Sequence, residues 1–236
     1  MKKINLEVNI LSEEEIVELY ETYVKKPKEY FKKSNEEYHK LSDFEKYEWS
    51  QKDFPRLSSL FDYKEWIEKY DLKHVNKLLS TCSDDFELKY ITYDHVKFCE
   101  YFKDKKFDLH TLDLEEKNYD FIIFNQTLEH LYNPFISLSN LYNHLNKGGY
   151  LYTTVPTINI PHEIPFHFWG ITPTGLCALC KSVGFEIMEC GYWGNLPYIN
   201  HIFKNNDWPH THHIMNNGII ENVEQCQSQT WILVKK

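Results

Sequence analysis

The chain has 236 residues, 42% of them hydrophobic, including 15 Phe, 17 Tyr and 6 Trp. That is enough apolar material for one full α/β domain plus an appendage, and it excludes low complexity and disorder. The formal charge is −9, from 26 basic and 35 acidic residues, and Arg56 is the single arginine, so a nucleic-acid backbone is a poor partner.

The opening stretch MKKINLEVNILSEEE has no apolar run of signal-peptide length, and no segment reaches the ~20 apolar residues of a membrane span. Six cysteines without a framework spacing read as reduced thiols, and a cytoplasmic location is the expectation. Residues 1–72 read as a helical cap or extension. Ser12-Glu13-Glu14-Glu15 is a capping box that starts an amphipathic run, and Ser42-Asp43-Phe44-Glu45 is a second. A further helical stretch runs from Tyr63 to Tyr70. These helices contain no chemistry motif; a lid, a homodimer surface and a solvated cap packed on the core are all open.

From residue 73 to residue 236 the pattern changes to short apolar runs. Val75–Thr81 and Leu88–Tyr93 read as the first two strands, with Phe107–Leu109 a short third. Tyr119–Asn125 is a continuous apolar run ended by polar residues, as in a strand buried on both faces. Pro134 starts a helix, Lys147-Gly148-Gly149 stops it, and Tyr150–Val155 is the next strand. Thr172-Pro173 starts another helix that closes at Gly184, and Phe185–Cys190 and Thr230–Val234 supply two more strands. Strand–helix alternation with short connections predicts a doubly wound, mostly parallel sheet, with ligands at the carboxyl ends of its strands.

Several of these elements resemble class I S-adenosylmethionine-dependent methyltransferases. The matching features are Asp120 at the start of the fourth strand, Glu129-His130-Leu131, Pro134, Lys147-Gly148-Gly149, and the later His-aromatic, Thr-Pro and Gly-Phe-Glu segments between His167 and Glu186. The resemblance implies a Rossmann-like α/β fold with a mostly parallel seven-stranded sheet, flanking helices and the N-terminal helical extension. It implies S-adenosylmethionine as cofactor, bound by the loop Thr81, Cys82, Ser83 and Asp84, by Asp94 after the second strand, by Asp108 and Leu109, and by Asn125 and Gln126. One departure stands out. The family's first loop is glycine-rich so that the backbone can approach the cofactor, and here no glycine precedes Gly148.

Transfer to a hydroxyl needs a base, and histidine titrates in the right range. His130 follows the fourth strand, and His162 and His167 follow the fifth; His162 and His167 are the favoured bases. Some members of the family bind a divalent ion through Glu-x-x-Glu-His, which here reads Gln126-Thr127-Leu128-Glu129-His130, so Glu129, His130 and His162 are candidate ligands for Mg²⁺ or Mn²⁺. Cys177 and Cys180 sit one helical turn apart and read as core. Phe166, Phe168, Trp169, Tyr192, Trp193 and Trp208 flank the loops as stacking surfaces or as core. His210, His212 and His213 form a further cluster. The expected function is O-methylation of a sugar or glycan hydroxyl. A catalytically inactive scaffold subunit and a small-molecule or quinone methyltransferase are the alternatives. The expected partner is a small-molecule or glycan acceptor, with neither nucleic acid nor membrane.

Overall fold

A computed structural model describes residues 6–30, 53–101, 103–217 and 221–236. The predicted capping box at Ser42–Glu45 lies outside them. The first box forms as expected. Ser12 Oγ accepts from Glu15 N, and Glu15 returns its carboxylate to Ser12 N, opening helix α1 (Glu13–Tyr23). Helix α2 (Phe54–Lys69) starts earlier than predicted, because Pro55 sits in its first turn, where a missing N–H costs nothing.

The sheet has six strands among the described residues, in the order β2-β1-β3-β4-β6-β5. These are β1 (His74–Ser80), β2 (Thr92–Phe98), β3 (Tyr119–Asn125), β4 (Leu145–Pro156), β5 (Glu186–Trp193) and β6 (Gln229–Lys235). The first four pair in parallel, and β6 runs antiparallel to both β4 and β5. Seven strands were expected. The proposed short strand at Phe107–Leu109 is instead a 3₁₀ turn over Lys105–Phe107, capped by Asp104. The second strand is also displaced. Leu88–Tyr93 reads as apolar, yet Phe86–Tyr90 forms a 3₁₀ turn, and the strand is the polar run after it.

Period-two alternation divides the core into two layers. Ile122, Phe124, Leu151 and Val234 face one side, with Leu138 and Leu141 of helix α3 (Pro134–His144) and Leu176, Cys177 and Cys180 of helix α4 (Pro173–Val183). Both cysteines are buried free thiols, as read from the sequence. Phe121, Ile123, Tyr152, Trp231 and Leu233 face the other side, against Leu57, Leu60, Phe61 and Trp66 of α2. Helix α2 therefore shares the sheet's core, and Tyr152 Oη donates to its Ser59 carbonyl at 3.1 Å. Gly184 ends α4 at φ +114°, a left-handed cap that glycine adopts without steric cost. No described helix is long and apolar enough to cross a membrane.

Candidate active site

The carboxyl ends of β1, β3 and β4 meet at one edge, where the strand order reverses between β1 and β3. At the end of β3 the chain turns through Gln126, held at φ +44°. Gln126 N donates to the Thr154 carbonyl at 2.9 Å, and its Nε2 donates to Thr154 Oγ1 at 3.0 Å. A non-glycine residue in this left-handed region is strained, and such strain gathers at functional sites. A 3₁₀ turn, Leu128–His130, follows.

The loop after β4 is sewn onto that turn. Phe168 N donates to the Glu129 carbonyl at 2.8 Å, and Trp169 Nε1 donates to the Leu131 carbonyl at 2.9 Å. These bonds bring His162 and His167 onto His130. Ring centroids are 4.8 Å apart for His130–His162 and His162–His167, and 5.7 Å for His130–His167. One ring nitrogen from each lies within 4.8 Å of the others.

His130 Nδ1 is 2.8 Å from the Phe166 carbonyl, and His162 Nδ1 is 3.1 Å from the Ile160 carbonyl. A carbonyl can only accept, so each Nδ1 carries the proton, and in the neutral ring Nε2 keeps its lone pair. The His167 Nδ1 atom is buried without a hydrogen-bond partner among the described residues. Burial pushes the His130 and His167 pKa values below the usual histidine range, so both rings are neutral at pH 7. The trio predicted from sequence is thus assembled in space. Glu129, the other expected ligand, is fully buried with its carboxyl 3.7 Å from His130 Nε2. The ring nitrogens that converge are those of His130, His162 and His167, so His167 joins the expected Glu129, His130 and His162.

A cavity of 330 Å³ adjoins His162, lined also by Arg56, Gln126, Asn159, Trp208 and Gln229. Trp208 Nε1 donates to Asn159 Oδ1 at 2.7 Å and meets His162 edge-on at 5.7 Å. The loop aromatics divide into two groups. Tyr192 and Trp193 are core, whereas Phe166, Phe168, Trp169 and Trp208 are 37–49% exposed. In the other histidine cluster, His213 packs against His201 of helix α5 (Leu196–Asn205), and His210 bridges to Asp53.

The cofactor side differs from expectation at three positions. Asp94 lies in the middle of β2, exposed and 3.5 Å from His74, so it is not at the strand's carboxyl end. Glu100 is, accepting from Ser83 N at 3.1 Å and pairing with Lys103 at 2.6 Å. Asp84 is exposed, and the next carboxyl, Asp85, turns inward instead. Asp108 folds onto its own turn, accepting from His110 N at 3.0 Å and His110 Nδ1 at 2.7 Å, while Leu109 is buried. Thr81, Cys82 and Ser83 do lie directly after β1, and Thr81 N donates to the Ile123 carbonyl at 3.1 Å.

Beneath this edge lies a group of buried charges, of which sequence reasoning singled out Glu129 but gave no site role to Arg56, Asp85 or Glu87. Arg56, from the first turn of α2, donates to Thr154 Oγ1 at 3.1 Å and pairs with Glu87 at 3.7 Å. Asp85 is pushed up to about 7, chiefly by burial and then by Glu87, with Arg56, Ser80 and Asn125 opposing. Glu129 is pushed up to about 8 by burial. Neither oxygen of Glu129, nor the side-chain nitrogen or oxygen of Asn125, completes a hydrogen bond among the described residues. One signal could have found Arg56: it is a lone arginine beside the helix-starting Pro55.

Residues 77–189 match the family described as a methyltransferase domain. The chain resembles the N-methyltransferase NodS from Bradyrhizobium japonicum at 10% identity and TM-score 0.46, with 74% of this chain and 86% of that one covered. It resembles 1,6-didemethyltoxoflavin-N1-methyltransferase from Burkholderia thailandensis at 11% and 0.45, covering 75% and 78%. An S-adenosylmethionine-dependent methyltransferase from Mesorhizobium loti is similar at 10% and 0.44, covering 75% and 100%. No curated protein matches the chain. The match runs from within β1 to within β5 of the six-stranded sheet, so this segment resembles a methyltransferase domain.

Proposed function

We propose that the protein moves a methyl group from S-adenosylmethionine to a hydroxyl of a sugar or glycan held in the cavity beside His162. A trio of imidazoles, one of which (His162) lines a polar cavity, carries this reading. The residues at the carboxyl edge suit the cofactor. Buried Asn125 and Glu129 have polar atoms that still lack partners, and Glu100 stands at the end of β2, where the family resemblance places a ribose acceptor. When bound, S-adenosylmethionine supplies an electrophilic methyl on a sulfonium.

The chain's own residues supply alignment and proton removal. His162, with Nδ1–H fixed on a carbonyl, offers Nε2 to the hydroxyl proton, and His167 is the next candidate. Gln126, Asn159 and Gln229 can bond hydroxyl groups, and the Trp208 face can stack on a sugar ring. His162→Ala should lower kcat by roughly 10²- to 10⁴-fold, the usual worth of a positioned base, with cofactor affinity intact. Unchanged turnover in both His162→Ala and His167→Ala would refute the assignment. Calorimetric titration with S-adenosylmethionine that shows no binding would leave a scaffold role instead.

A second reading rests on the same trio: the cluster holds a divalent ion that lowers the pKa of a bound hydroxyl. Two anchored Nδ1–H groups resemble the outer bonds that orient metal-ligating histidines. Three imidazole ligands suit Zn²⁺ or Co²⁺ better than the Mg²⁺ or Mn²⁺ expected from the motif. Added Co²⁺ should produce visible ligand-field bands that disappear in His130→Ala; a featureless spectrum in the wild type removes this reading.

A further inference from the structure

The loop after β1 poses a problem for any ligand with a carboxylate. In a glycine-rich loop, free backbone amides receive such a group. Here those amides are committed. Cys82 N donates to Ser80 Oγ at 3.2 Å, and Ser83 N donates to Glu100 Oε1 at 3.1 Å. Ser80 Oγ also bonds the Cys82 carbonyl at 2.7 Å and Asp85 at 3.1 Å, which closes the loop on itself. The connection from β1 to β2 contains only a 3₁₀ turn, so no α-helix N-terminus points at the site.

A cation reaches this edge from elsewhere. Helix α2 carries Arg56, the only arginine of the chain, to the wall of the cavity, next to Gln126. A guanidinium has five donors arranged to receive a carboxylate through two parallel bonds. Facing it are Asp85 and Glu87 from the β1–β2 connection, Asp53 from its own helix start, and Glu129 after β3. Asn125, 4% exposed, adds an amide whose nitrogen and oxygen have no completed bond among the described residues. One cation beside surplus carboxyls and an unsatisfied amide is a donor set suited to a zwitterion.

We propose that Arg56, together with Asp85 and Asn125, holds the α-amino-acid end of S-adenosylmethionine, taking over from the missing glycine-rich loop. The carboxylate lies on the guanidinium and the ammonium on Asp85, with Asn125 bonding either group. This inference rests on the methyltransferase reading, and it assigns a cofactor role to the N-terminal helical region.

Two ligands separate its failure from failure of that reading. S-Adenosylhomocysteine and 5′-methylthioadenosine share the adenosine and the thioether sulfur, but only the former has the amino-acid end. By calorimetry, Arg56→Gln should weaken S-adenosylhomocysteine by roughly 10- to 100-fold, the loss expected for a charged hydrogen bond. It should leave 5′-methylthioadenosine unchanged, and that retained binding also reports an intact fold. Asp85→Asn should repeat the selective loss. Equal weakening of both ligands, or of neither, in the two variants overturns the proposal. If the wild type binds neither ligand, the methyltransferase reading falls as well.

Discussion

Gly191→Ala should destabilise the protein by about 3–5 kcal/mol, the range for breaking a buried charge network. A Cβ at this position would lie under 3 Å from Trp231 Nε1 and from Asp62 Oδ2. Those two atoms hydrogen-bond at 2.9 Å, and the same carboxylate oxygen accepts from Tyr30 Oη at 2.7 Å and pairs with Lys28 at 3.2 Å. Asp62 is fully buried, so it cannot retreat into water when the methyl displaces the indole. The network joins α2, β5, β6 and the segment after α1, which makes it a clamp for the helix that presents Arg56. A denaturant melt at pH 7 should show the loss, with a midpoint drop of roughly 10 °C in a thermal scan. A change below about 1 kcal/mol would mean that the cluster relaxes around the extra methyl.

Asp85→Asn should raise stability at pH 8 by several kcal/mol relative to the wild type and change it little near pH 4. The Asp85 carboxyl is raised from 3.8 to about 7 in the folded protein. Below pH 3.8 both states are protonated, and nothing is lost. Between pH 3.8 and 7 the unfolded chain ionises while the folded one holds its proton, so stability falls as pH rises. The fall levels off above pH 7, after at most about 4 kcal/mol at 1.36 kcal/mol per unit. Facing this carboxyl are Glu87, Arg56, Ser80 and Asn125, and Glu87 contributes repulsion that burial alone would not supply. An asparagine cannot ionise, so its stability should lack this slope. Parallel pH–stability curves for the two proteins would show that Asp85 is already ionised at neutral pH in the fold.

The legible parts of the molecule were those where local chemistry and burial agree. YDFIIFN is apolar from Phe121 to Phe124 because β3 is covered on both faces, and Asn133-Pro134 and Thr172-Pro173 cap and start their helices where the sequence places them. The rim histidines were legible because each lies in a loop that follows a strand end, and strand ends define the cleft. The second strand was not legible. As an outer strand, TYDHVKF buries little, so it lacks the alternation that marks half-covered strands. That displacement moved the acidic residue at its end from Asp94 to Glu100. Arg56, Asp85 and Glu87 were also hidden. Their partnership depends on α2 lying over the β1–β2 connection, a contact between segments about 30 residues apart in the chain that no local pattern encodes.

The same polar strand has a consequence outside the active site. With no third strand in place, β2 leaves one backbone edge without a neighbouring strand among the described residues. An open edge can template pairing with another chain and grow into an aggregate, unless charge makes that pairing costly. Exposed Asp94, His95 and Lys97 put charged and polar groups on this edge. The composition that conceals the strand from a reader of the sequence also makes edge-to-edge pairing costly.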